Sequence, residues 1–349
     1  AHVRNRQLDA LPADATVHVL GASLSACDVM NRLFAPDTGC RFDRQADGSL
    51  HFVPGANRRR VLLCSRSGRL KQLQSRQPVP LQCRHLTLAA LRALARDGAL
   101  TLEAVAGLVD AEARAHGLAP DWPALRQPYA GCTTADAVQQ RAIALLADAV
   151  ARAQVGSNLL VDLAGAAQTL LWDAFAERLL PPAEEARYRA LVEPALLAWT
   201  APCAPPVAER LLALLRAGAV QLRHGTGPVA WSAADDAWRI PTAFGTELAR
   251  VLVDTSGGLD RRVDSPAQPP LVRHMAAQGL LRPYRPGGTV ADGAAVDMAT
   301  LRAEGSRHVH LAGMWLWGPG SFTSSAFMMA RAVQTALAAL YPGAVPRPA

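Results

Sequence analysis

Lysine is almost missing from this chain: of 36 basic side chains one, Lys71, is lysine and the rest are arginine. A short-chain dehydrogenase sets a tyrosine four residues before a lysine, whose ammonium lowers the phenol pKa for proton transfer. Position 67 is serine, which argues against that class. Aromatic residues make up 5% of the chain, and the arginines are scattered rather than gathered into a run interleaved with aromatics. The formal charge of +7 therefore points to no nucleic-acid partner. The six cysteines, Cys27, Cys40, Cys64, Cys83, Cys132 and Cys203, form no Cys-x-x-Cys pair. By spacing, neither a zinc site nor a redox dithiol is indicated, and a reducing cytoplasm is the expected compartment. A Gly-x-Ser-x-Gly elbow is also lacking, which removes the simplest serine hydrolase. No signal peptide is visible, and the most apolar stretch, 158–172, is interrupted by Asp162 and Gln168. No membrane role is expected.

What is present is core. Half of the 349 residues are hydrophobic, enough for two domains or for one with a large insert. The most informative stretch runs from Thr16 to Met30: an apolar run breaks on Gly21, passes through small residues and resumes at helical spacing. It reads as strand, phosphate-binding turn and helix. Gly21 stands at the first glycine of a G-x-G-x-x-G dinucleotide fingerprint, with Ser23 and Ala26 at the second and third. Residues this small let a backbone approach a pyrophosphate, and a helix starting near Ser23 aims its free amides and positive dipole end there. A second apolar run, Arg60 to Cys64, leads into Ser65, Arg66, Ser67 and Gly68. An acidic residue there would bind the 2′-hydroxyl of NAD, whereas Arg66 suits the 2′-phosphate of NADP. The plain alternative is that Gly21 closes an ordinary turn and Arg66 is solvated.

Residues 36–60 read as a hairpin-like interruption carrying Gly39, Gly48 and Gly55, and helical spacing holds from about Leu86 to Leu215. Residues 219–223, 229–231 and 238–240 read as short strands of a small antiparallel element, and 248–254 as one buried strand. The chain closes with a strand over 308–313, a Trp- and Gly-rich loop and a helix from about Ser321 to Leu340.

In that order, the Val17–Ser25 run, the Ser65–Arg66 turn, the 253–257 strand end and the Gly313-to-helix finish resemble the bacterial FAD/NAD(P)-binding flavoproteins with two dinucleotide domains. These are distant relatives of the N-hydroxylating and flavin-containing monooxygenases. The resemblance implies an α/β fold: a Rossmann-like three-layer nucleotide-binding domain with a large helical insert and the C-terminal part of a second, FAD-type domain. The expected ranges are 1–15 as leader or linker, 16–85 as NADP-binding Rossmann-like core, 86–215 as helical insert and 216–349 as the remainder of the nucleotide domain with the C-terminal part of the FAD-type domain. It implies that Gly21, Ala22, Ser23, Leu24, Ser25, Ser65 and Arg66 face NADPH. Thr255, Ser256, Gly257, Gly313 and the amide end of the closing helix at Ser324 belong to the FAD side. Two departures stand out. The family's flavin fingerprint precedes the nucleotide domain, where this chain offers fifteen residues before Thr16, so either a second polypeptide partner or a segment outside this sequence supplies that half, or the chain is a degenerate relative that keeps only part of the function. Met314 follows Gly313 where many relatives carry an aspartate.

The implied chemistry is hydride transfer from NADPH to FAD, which asks little of protein acids and bases, and no catalytic residue is assigned. The competing class is a non-catalytic NADP-binding or partner-docking module. His308 and His310 would share one side of their strand, but a third metal ligand is lacking and no metal site is assigned. Trp315 and Trp317 read as core first and as a flavin or substrate wall second.

Overall fold

The computed structural model describes residues 6–343 except Pro80, Ser157, Gly258, Leu259, Phe322 and Ser324. It is an α/β protein of two units: Ala1–Val79 with Pro120–Asp162 and Leu197–Gly258, and Pro80–Ala119 with Leu163–Leu196 and Leu259–Ala349.

In the first unit, β1 (Thr16–Leu20) is followed by a hairpin of β2 (Arg41–Arg44) and β3 (Leu50–Val53), and then by β4 (Arg60–Cys64) and β5 (Val220–Arg223). Three short strands come next, β6 (Ala230–Ser232), β7 (Ala237–Thr242) and β8 (Gly245–Ala249), before β9 (Leu252–Asp254). Four of these form a parallel sheet in the order β5-β4-β1-β9, with Val17 opposite Val61 and Val61 opposite Val220. The β-branched and leucine residues at alternate positions, Val17, Val19, Val61, Leu63, Val220 and Leu222, are buried against the helices Leu24–Leu33, Ala135–Val155 and Pro205–Arg216. On the opposite face, Leu20, Leu62, Cys64 and Leu252 pack with Val229, Ile240 and Ala249 of the antiparallel β6-β7-β8 layer.

Two strand expectations are corrected here. Residues 219–223 join the parallel sheet rather than an antiparallel element. The apolar run 248–254 is two strands, because the chain turns at Arg250 and Val251 to pass from the antiparallel layer (β8) to the parallel sheet (β9). Leu248 is consequently exposed while Ala249 is fully buried.

His18 faces the antiparallel layer from β1. It is 4% exposed, and neither ring nitrogen has a hydrogen-bond partner among the described residues. Burial lowers its pKa; Glu247 and the backbone at Val251 pull the other way, and Arg223 adds to the lowering. The unfolded chain takes up this proton near pH 6.5 and the folded one only at lower pH. Stability from this site is thus complete above 6.5 and is lost as pH falls below it. We expect the urea midpoint to fall between pH 7 and pH 5, and His18→Leu to flatten that dependence while adding roughly 1 kcal/mol at pH 7 by removing an unsatisfied polar group. An unchanged pH profile in the variant would remove His18 from the account.

The second unit is mainly helical. One apolar cluster joins Leu91, Leu100, Ala174, Phe175, Leu180 and Tyr188, and another gathers Trp172, Leu281, Val296, Leu301, Leu316 and Met328. Its sheet content among the described residues is a two-residue ladder, β10 (Val296–Asp297) with β11 (Arg302–Ala303). The strand expected over 308–313 is reduced to a single bridge between Arg302 and His310. The closing helix spans Ala326–Leu340, starting later than expected because Ser325 caps it, accepting from the Met328 amide at 3.2 Å.

Helix Leu159–Ala176 is long and apolar enough to cross a membrane by length and composition alone, and 33% of it is buried. Both of its aspartates are engaged: Asp162 accepts from Ser75 at 2.9 Å and Asp173 from Arg331 at 2.6 Å.

Candidate functional site

A parallel strand ends with its carbonyls toward the following loop, and ligands of open α/β sheets collect where two neighbouring strands send their chains in opposite directions. In this sheet that place lies between β1 and β9: the chain leaves β1 toward β4, while β9 is the last strand added on the other side. Gly21 follows β1 with φ +103°, a conformation side chains rarely adopt. Its amide donates to the Cys64 carbonyl at 2.7 Å, tying the turn to β4. A Cβ at Gly21 would sit 2.9 Å from Thr255 Oγ1 and 3.0 Å from the Thr255 carbonyl oxygen. Close approach to β9 therefore requires glycine here, whether or not a nucleotide binds.

The next four residues carry the functional argument. The amides of Ala26 and Cys27 donate to the Ser23 carbonyl at 3.0 and 3.2 Å, which starts the helix. The amides of Ala22, Ser23, Leu24 and Ser25 bond to no described residue. At four other helix starts a side chain closes the turn, Thr87, Thr101, Asp121 and Thr134 each accepting from the amide three residues on, while the helices that begin at Pro182, Pro205 and Pro270 have no side-chain cap. Ser23 occupies the same position, yet its hydroxyl caps nothing. Four open amides at a helix N-terminus, on half-buried to exposed residues, form an anion cradle in which dipole and hydrogen bonds act together. Ala26, at the third fingerprint position, is fully buried, as close packing of helix on strand demands.

At the end of β4, the Ser65 amide donates to the Arg223 carbonyl and its hydroxyl accepts from the Gly68 amide at 3.0 Å, closing a tight turn. The Arg66 side chain is exposed and makes no hydrogen bond or ion pair with a described residue. Sequence reasoning missed what braces this turn. Tyr129 donates to the Gly68 carbonyl at 2.9 Å and stacks on His224 with ring centroids 5.6 Å apart, and a Cβ on Gly68 would meet both rings' residues at 2.8 Å. Tyr129 lies 61 residues from Gly68, so no local spacing announces it.

At the end of β9, the Thr255 amide and hydroxyl both donate to the Leu20 carbonyl, at 2.8 and 2.6 Å. Ser256 donates through its amide and hydroxyl to Asp254 Oδ1. Both hydroxyls are thus committed to the turn. Gly257 takes a positive φ of 74° just beyond. The structure therefore places Gly21–Ser25, Ser65–Arg66 and Thr255–Gly257 after the carboxyl ends of three neighbouring strands, β1, β4 and β9, of the first unit's sheet. Gly313 belongs to the second unit, where it is buried at φ +69°, and Ser324 lies outside the described residues. His310 bonds through Nδ1 to the Thr300 carbonyl at 2.9 Å, and among the described residues no three His, Cys, Asp or Glu side chains are grouped for a metal.

In the second unit, the loop after Gly313 is held by a buried ionic network. The helical segment Pro182–Arg187 runs through a π-turn at Tyr188–Val192 into helix Glu193–Thr200. Pro194 has no amide to give the carbonyl four residues back, and a wider turn accommodates that loss. Arg189 on this turn bonds Glu193 at 2.7 Å, lies 3.7 Å from Glu185, and donates to the carbonyls of Gly318 and Gly320. Trp317 donates its indole N–H to Glu193 at 3.3 Å and Tyr284 its hydroxyl to Glu185 at 3.0 Å. Trp317 is 6% exposed and belongs to this scaffold, while Trp315 is partly buried against a neighbouring cluster.

No protein-family model and no curated protein matches this chain.

Proposed function

We propose that the first unit binds NADPH, with the pyrophosphate on the amides of Ala22, Ser23, Leu24 and Ser25 and the 2′-phosphate at Arg66. What carries the reading is the row of four unbonded amides at the switch of chain direction between β1 and β9. The strand order supports it: numbered along the chain, the four parallel strands run 3-2-1-4, the order of a Rossmann nucleotide-binding half followed by the first strand across its switch point. The unpaired Arg66 guanidinium beside the end of the second strand supports NADP over NAD, since a guanidinium meets a phosphate through two charge-assisted hydrogen bonds.

The chain is then an NADPH-dependent flavoprotein oxidoreductase or monooxygenase-like protein. Bound FAD would supply the hydride acceptor; the protein contributes position and charge. The second reading, an NADP-binding module without flavin, is favoured by one observation: the Thr255 and Ser256 hydroxyls are spent on Leu20 and Asp254.

One experiment separates these. NADPH and NADH are titrated against wild type and Arg66→Ala, and the visible spectrum of the purified protein is recorded with and without added FAD. We expect NADPH to bind more tightly than NADH, and the variant to lose roughly 1.5–3 kcal/mol of NADPH binding alone. Equal affinities in wild type sink the NADP assignment. Flavin absorbance held through gel filtration favours the oxidoreductase; a colourless protein that binds NADPH favours the module.

A further inference from the structure

The closing helix, Ala326–Leu340, is apolar on both of its faces. Its inner face carries Met328 and Ala332, at 0% and 1% exposure, into the second unit's cluster with Trp172, Leu301 and Leu316. A surface helix ordinarily turns polar and charged residues outward, and one that is hydrophobic all round is buried. This one is not: Phe327, Met329, Val333, Leu337 and Leu340, with Tyr341 just beyond the last turn, are 37–65% exposed. Within the helix, Gln334 is the one exposed polar side chain. Its one charge, Arg331, is turned to the inner side, 12% exposed and bonded to Asp173 at 2.6 Å.

We propose that this outer face is an interface for a second copy of the chain, with the two closing helices packed antiparallel across a two-fold axis at Val333.

Spacing, symmetry, charge and area all point to that occupant. Ala326, Val333 and Leu340 recur every seven residues, with Met329 and Ala336 three places after the first two, which is the seam that lets two helices pair along their length. The seam is also nearly symmetric about its centre. Reversing the helix about Val333 sets Ala326 against Leu340 of the second copy, Ala330 against Ala336 of the second copy, and the adaptable Met329 against Leu337 of the second copy. A two-fold contact brings like residues together at the axis, so a charge there would repel itself, and this face carries none. The six large side chains offer on the order of 600 Å² per copy, or about 1,200 Å² for the pair, which reaches the range of specific interfaces and exceeds that of chance contacts. A lipid surface fits these residues less well. The 15 residues of the helix rise about 22 Å, short of a hydrocarbon core of about 30 Å. A helix lying in the headgroup layer needs free Lys or Arg on its polar side, and here the one cation is held by Asp173.

The test is the oligomeric state of the full chain, followed by sedimentation velocity between about 1 and about 100 μM. We expect a monomer–dimer equilibrium with a dissociation constant in the micromolar range, as an interface at the small end of the specific class gives. Val333→Arg alters an exposed position and leaves the inner face as it is, so its helical circular dichroism should match wild type while its self-association falls about 100-fold, two guanidinium groups meeting at the axis. Val333→Glu should be monomeric for the same reason. Mixed in equal amounts, the two variants should form a dimer again, because opposite charges then meet at the axis, a rescue that contact through any other face would not give. Wild type that stays monomeric at the highest concentration overturns the proposal, and so does a dimer that Val333→Arg leaves intact or a mixture as monomeric as its components. Monomeric wild type that floats with phosphatidylcholine–phosphatidylserine vesicles, where Val333→Arg does not, overturns it in favour of a membrane-facing helix.

Discussion

Replacing Ser23 by aspartate is expected to move stability and nucleotide binding in opposite directions. Ser23 stands at the helix N-cap with its hydroxyl unused, while the amides of Leu24 and Ser25 remain open. An aspartate there can accept from the Ser25 amide and its charge suits the positive end of the helix, adding about 0.5–1 kcal/mol to stability. The same carboxylate would stand where a pyrophosphate must rest. At about 5 Å and an effective dielectric near 20, its repulsion of a unit charge is roughly 3 kcal/mol, or about 100-fold in affinity. Urea unfolding and an NADPH titration on the same preparation read both effects. A variant that gains stability and binds NADPH as well as wild type would show that the turn is only a turn, and the proposed nucleotide site would fall with it. Gly21→Val is a poorer probe, because a side chain there strikes the Thr255 backbone and would damage the fold whatever binds beside it.

The contrast between these two positions shows how much could be read from the chain. Strand, glycine turn and helix over 16–33 were legible because hydrophobic period and small residues are local signals, and the hairpin around Gly48 was legible for the same reason. The glycine's immediate cause was not: it is the approach of Thr255, 234 residues away, and no spacing rule reaches that far. The run 248–254 looked like one strand because its residues are apolar throughout, and hydropathy alone cannot show a chain leaving one sheet for another. The helical region between β4 and β5 was legible as helix but not by destination. Ala135–Val155 and Pro205–Arg216 cover the parallel sheet, while Leu88–Arg96 and Leu102–Ala115 contribute to a core of the other unit. The cysteines make the same point, since Cys27 and Cys203 share one apolar cluster although 176 positions separate them.

Arg189→Met should be the most damaging single substitution in the second unit. The side chain lies over the Phe175 ring at 4.3 Å, and methionine keeps much of that apolar contact, so what is lost is the charge and its hydrogen bonds. Two carboxylates would be left without their shared cation, those of Glu185 and Glu193, each 8% exposed at the side chain. The Gly318 and Gly320 carbonyls would lose their donor as well. Removing one partner from a buried ionic network costs about 3–5 kcal/mol, because the remaining charge has neither water nor counter-ion. The deficit should depend on pH in a defined direction. Burial already raises the pKa of Glu185, with Arg189 opposing the rise, so in the variant it goes higher still. A carboxyl raised in the folded state binds its proton more tightly there than in the unfolded chain, and its contribution is present at low pH and lost as pH climbs through the folded value. Denaturant unfolding from pH 8 down to pH 5 should therefore show the gap between Arg189→Met and wild type narrowing, and adding Glu185→Gln should recover part of it at pH 8. A gap that is constant across this range and untouched by the second substitution would mean that Arg189 acts by packing on Phe175 alone and does not clamp the loop from Gly318 to Gly320.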